Sequence, residues 1–214
     1  MSFNYIPLRN HSTYSLAEGA IKFADLIQKC QQLNFPAIAI TDTGNLFGVV
    51  EFSKTASNAG IQPIIGCQLL VNLYEQDPRA QETRLPGIEP PLDTLLFYVQ
   101  NQTGYKNLLK LVTYSFLNHK TGSRAYIPFD LLQSYNEGLI VLSGGMDGGI
   151  NKLLLKGQEI AAKNLLLKSK EIFADRFYVE ITRQGLPEEE QIESNLLKLA
   201  FETNSPLVAT NEAF

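Results

Sequence analysis

With 214 residues, 44% hydrophobic and 19% charged, the chain is long enough to bury a sizeable core as one large domain. Its 18 Lys plus Arg are outnumbered by 22 Asp plus Glu, a formal charge of -4 with no dense basic run. Tight gripping of nucleic acid through many phosphates is therefore disfavoured, and no apolar run approaches the roughly 20 residues of a membrane span.

The N-terminus, Met1-Ser2-Phe3-Asn4-Tyr5, has no basic region followed by an apolar run, so no secretory leader is expected. Cys30 and Cys67 stand in apolar surroundings without a paired motif, which suits two reduced core thiols in a cytoplasmic protein. Tyr5 to Leu8 reads as a first strand that delivers the polar segment Arg9 to Ser15. Phe23, Leu26, Ile27, Cys30 and Leu33 fall on one stripe of a helix that Pro36 forbids from continuing.

Ala37 to Thr41 shows no polar face, as in a strand covered on both sides within a parallel sheet. It ends on Asp42, and Gly44-Asn45 supplies a turn, so a carboxylate arrives at the C-terminal end of a central strand. A helix over 46–58 follows, then strand segments over 61–66 and 68–72. The stretch 75–93 holds four prolines and reads as a long surface loop.

Strands are predicted over 94–99, 138–142, 177–181 and 206–210, with helices over 105–116, 150–173 (one or two) and 188–204. Phe129 to Leu132 adds a short helical turn, and Ser143 to Gly149 a glycine-rich turn without the Gly-Lys-Ser/Thr of a phosphate-binding loop. His119 reads as a helix-end residue. The repeated strand–helix alternation argues for a (β/α) barrel or an open parallel sheet. The last strand lacks a covering helix, so a longer polypeptide is expected to continue beyond Phe214.

Polar residues collect at the strand ends: Arg9 and His11, Asp42 and Thr43, Gln68, Glu180 with Arg183, and Asn211 with Glu212. On one rim they could form a site, or they could simply cap strands and bond to one another. Ser12 and Ser15 lie near His11 but lack an evident third group to make a nucleophile–base arrangement.

The segments Leu8 to Leu16, Ala39 to Gly48, Ala59 to Cys67, Gly104 to Leu108, Tyr178 to Ile181 and Leu207 to Glu212 together resemble, in order, the amino-terminal PHP (polymerase and histidinol phosphatase) domain of bacterial DNA polymerase III alpha subunits. The resemblance covers essentially the whole chain, 1–214. It implies an α/β fold, a distorted seven-stranded (β/α) barrel of the TIM-like PHP type, here C-terminally incomplete.

The resemblance also implies a cluster of two or three metals in active members, held by His, Asp, Glu and Cys. Against that pattern the first His is Arg9, the Asp-His pair is Asp42-Thr43, and the Glu is Gln68. The mid-chain His falls near Thr94, the Cys near Gly145, and the closing Asp-x-His reads Glu212-Ala213-Phe214. His11, Glu18, Asp42 and Glu212 are the remaining candidates for a metal. Arg9 puts a permanent positive charge where a cation would sit, so its guanidinium is expected to replace the metal by bridging Asp42 and Glu212.

What the resemblance implies is a non-catalytic module that supports a polymerase and docks a proofreading exonuclease subunit beside other replicase subunits. No cofactor is then expected here, Mg2+ serves the full polymerase, and DNA is met through the full-length chain. The alternative is an active metal-dependent phosphoesterase, a 3'-5' exonuclease or pyrophosphatase, which would take Mn2+ or Zn2+. A free-standing (β/α) sugar-phosphate enzyme fits the ordered motifs less well.

Overall fold

The computed structural model describes residues 5–74, 91–118 and 124–214. They fall into two compact units, 1–68 with 210–214, and 69–209.

In the first unit the helices are α1 (Phe23–Gln32) and α2 (Val49–Asn58). Strand β2 (Ala37–Ile40) is buried at all four positions, as its unbroken apolar run requires. It pairs in parallel with β3 (Gln62–Asn72), from Ala37 opposite Gln62 to Ile40 opposite Ile65. Phe23, Ile27 and Cys30 of α1, Phe52 and Ala56 of α2, and Ile38, Ile40 and Ile61 form the core. Asn34 takes a left-handed conformation (φ 55°) where α1 stops, a role asparagine tolerates better than most residues.

The first strand differs from expectation. Ladder pairing begins not over 5–8 but at β1 (Arg9–Asn10), which lies parallel to β9 (Glu212–Ala213) with Arg9 opposite Glu212. Pro7 has no N–H to give, although its carbonyl accepts from Ala39 N at 2.9 Å. The two segments predicted over 61–72 are one strand, β3, whose residues are shared between the units.

The second unit contains β4 (Asp93–Val99), α3 (Gln102–Leu117), β5 (Ile127–Pro128), α4 (Phe129–Ser134) and β6 (Leu139–Leu142). It continues with α5 (Gly149–Leu155), α6 (Glu159–Phe173), β7 (Phe177–Thr182), α7 (Pro187–Glu202) and β8 (Leu207–Thr210). The seven strands β2 to β8 make up the seven-stranded sheet expected of the barrel, with β5 set off on β3.

That sheet is not wholly parallel. Strands β6 and β7 run parallel, but β4 pairs with β6 antiparallel, Leu96 opposite Leu142 and Val99 opposite Leu139. The start of β4 therefore lies beside the end of β6, so that Thr94 faces Gly144 (φ +86°), where any Cβ would strike the Thr94 carbonyl. The predicted helical region 150–173 is two helices, parted at Gly157 (φ +69°).

Residues 75–90 of the expected surface loop, and His119, lie outside the described residues. The loop's expected end is corrected: Leu92 is buried and Asp93 already belongs to β4.

Candidate functional site

The candidate residues that come together lie in the first unit, at the edge where β1 meets β9. The parallel register sets Arg9 beside Glu212, and 99% of the Arg9 surface is buried (1% exposed). Its Nε lies 2.9 Å from Glu212 Oε1, and its Nη2 donates to Gln68 Oε1 at 2.9 Å. His11 approaches the same carboxylate oxygen through Nε2 at 2.9 Å. The imidazole is stacked on the Phe214 ring at 4.7 Å, a contact invisible in the sequence. A buried guanidinium thus has a carboxylate as its ion-pair partner and an amide oxygen as a hydrogen-bond acceptor, the compensation a buried charge requires.

Asp42 follows the end of β2, the strand-end position the sequence implied, and is buried. Its Oδ1 accepts from Ser12 N at 2.6 Å and Ser15 Oγ at 2.7 Å, and its Oδ2 from Ser12 Oγ at 2.8 Å. Of the expected bridge, the Glu212 half is present, while the Asp42 carboxylate binds the two serines. Ser12 and Ser15 are thereby assigned a holding role that no spacing pattern signalled.

Behind Asp42, the buried Cys67 thiol donates to its backbone carbonyl at 3.3 Å, and burial pushes that thiol's pKa up. Glu18, the fourth candidate, is exposed and accepts from Thr43 Oγ1 at 2.6 Å. Thr43 also pairs by a parallel bridge with Gln68.

This donor set does not fit a metal cluster. Among the described residues, no group of three or more His, Cys, Asp or Glu side chains is arranged to hold a metal ion. Gln68 and Thr43 offer no anionic or imidazole donor, and Glu212 is engaged by two positively charged or proton-donating side chains.

Of the other rim residues, Ser143, Glu180 and Arg183 belong to the second unit. There Ser143 Oγ accepts from Glu180 N at 2.9 Å, and the exposed Arg183 forks onto Glu193 at 2.7 and 3.0 Å.

Burial alone would raise the Glu212 pKa, but the His11 hydrogen bond and the Arg9 charge hold it below the ordinary carboxylate value. An acid with a depressed folded pKa stabilises the protein above its unfolded pKa, about 4.3 for glutamate, and that contribution is lost as pH falls through the folded value. Unfolding free energies measured from pH 6 down to pH 3 should therefore fall more steeply in the parent protein than in Glu212→Gln. Asp93, raised by burial in the second unit, acts with the opposite sign, so the difference between the two proteins is the quantity to read.

This seven-stranded α/β fold has a defined class: the chain belongs to the PHP domain family, whose model matches residues 7–184. The relatives that narrow the class are DNA polymerase III alpha subunits. That of Caulobacter vibrioides is 37% identical over 210 residues, covering 98% of this chain, and that of Borreliella burgdorferi is 38% identical over 215 residues, covering all of it. The chain spans 18% of the length of each.

Among solved structures, the fold is similar to a Bifidobacterium adolescentis protein classed as a metal-dependent phosphoesterase (TM-score 0.55, 12% identity, 97% of this chain and 87% of that one). An amidohydrolase from Chromobacterium violaceum is comparable, at TM-score 0.53 and 10% identity over 97% of this chain and 87% of that one. No helix among the described residues is long and apolar enough to cross a membrane.

Proposed function

We propose that residues 1–214 are the N-terminal PHP module of a replicative DNA polymerase, the DNA polymerase III alpha subunit, working in DNA replication in the bacterial cytoplasm. The full-length chain would be a DNA-directed DNA polymerase, a nucleotidyltransferase using Mg2+ in parts other than this segment. The module itself is non-catalytic. It serves as a structural platform and as a docking site for the proofreading exonuclease subunit, alongside other replicase subunits, and it touches DNA little by itself.

The observation that carries the inactive role is the Arg9 guanidinium seated 2.9 Å from Glu212. A fixed positive charge on a would-be ligand carboxylate repels a divalent cation and consumes its donor. Arg9 and His11 on Glu212, with Asp42 held beside them by Ser12 and Ser15, then stabilise the strand ends.

The test is metal content after purification, combined with hydrolysis of pyrophosphate and single-stranded DNA in the presence of Mn2+ or Zn2+. The expected result is no stoichiometric metal and no turnover that His11→Ala removes. Bound metal with His11-dependent cleavage would make the module an active phosphoesterase, a 3'-5' exonuclease or pyrophosphatase. Binding of the isolated exonuclease subunit to the complete alpha chain and to one lacking residues 1–214 tests the docking role separately.

A further inference from the structure

Among the buried side-chain oxygens of the second unit that have no hydrogen-bond partner among the described residues are Glu189 Oε1 on α7 and Asn151 Oδ1 on α5. Their residues are 5% and 2% exposed, and both line one cleft together with Met146, Ile181, Thr182 and Ile192. The cleft leaves about 10 Å³ for the centre of a water-sized sphere. That is room for one water molecule.

The rest of each side chain is accounted for. Glu189 Oε2 accepts three backbone N–H groups, from Gln184 at 2.7 Å, Gly185 at 3.1 Å and Leu186 at 3.2 Å. That half of the carboxylate caps the turn between β7 and α7. Asn151 Nδ2 reaches Met146 Sδ at 3.8 Å, a weak acceptor. Both unpaired oxygens are acceptors, the lining adds the Thr182 hydroxyl beside Glu189, and burying an acceptor without a hydrogen bond is unfavourable.

A metal ion is a poor match. Calcium takes six to eight oxygens and magnesium a near-octahedral set, whereas this cleft offers the Glu189 Oε1, Asn151 Oδ1 and Thr182 hydroxyl oxygens, and its other carboxylate, Glu193, is forked by Arg183. Three amides already compensate much of the Glu189 charge. A water molecule supplies two O–H donors and fits the space. We propose that a single structural water occupies this cleft, donating to Glu189 Oε1 and Asn151 Oδ1, and so fastens α5 to the turn that follows β7. The water belongs to the fold, independent of whether the first unit is catalytic.

A high-resolution crystal structure of the complete protein, grown with sodium as the only monovalent cation, tests this. The expected result is one density peak about 2.7–3.1 Å from both oxygens, unchanged when crystals are transferred to rubidium. A dry cleft overturns the proposal, as does a peak that acquires the rubidium anomalous signal, which would make the occupant a cation. The same structure of Asn151→Leu should lose the peak while the three amides stay on Glu189 Oε2. A peak retained there at full occupancy also overturns it, because Asn151 would then not be a partner.

Discussion

Replacing Arg9 with alanine should destabilise the protein by about 3–5 kcal/mol, the penalty for removing one member of a buried ion pair and leaving the other without compensation. Its side chain is 1% exposed and that of Glu212 14%, so solvent cannot take over for the lost guanidinium as it does at a surface pair. His11 would remain on Glu212 Oε1, and Gln68 would lose a donor.

Urea unfolding with the slope held in view measures the change, and a loss below about 1 kcal/mol would reduce the pair to an ordinary surface contact. Arg9→Lys separates charge from shape. An ammonium keeps the sign but lacks the fork that reaches Glu212 and Gln68 together, so a value between those of the parent and the alanine variant is expected.

The second large effect is Gly144→Ala. Gly144 has φ +86° and ψ 14°, a left-handed conformation that disfavours any side chain by about 1–2 kcal/mol. A Cβ there would also overlap the Thr94 carbonyl, a backbone atom of β4 that has no rotamer to escape into. The combined cost should be about 3 kcal/mol or more. Gly157→Ala is the matched control. It shares the left-handed conformation (φ +69°) but has nothing within 4 Å of the added atom, so only the conformational part, about 1 kcal/mol, is expected. Equal thermal shifts for the two variants would mean that Thr94 gives way.

The contrast between these positions also explains what the chain disclosed before its structure was known. Ala37 to Ile40 and the Phe23, Ile27 and Cys30 stripe were legible because burial on two faces or on one stripe writes itself into residue type. Asp42 was legible as a strand-end carboxylate for the same reason. The direction of β4 was not. All its positions from Asp93 to Tyr98 are buried, and an apolar run reads the same whether its neighbour is parallel or antiparallel.

In the cluster, Arg9 and Glu212 were foreseen as partners from their places in a family pattern, since 201 residues separate even His11 from Glu212 and no local periodicity spans that. The serines that hold Asp42 were missed because a hydroxyl is equally at home in a turn, a cap or a site. Only the folded distances, 2.6 to 2.8 Å, distinguish the uses.

The pairing of Arg9 with Glu212 has a consequence for how the protein comes into being. A counter-charge carried on a side chain is made by the ribosome in fixed ratio with the acid it neutralises. Under the proposed inactive role, no loading step or exchange with a cellular pool stands between synthesis and a complete strand edge, and chelation should leave that edge unchanged.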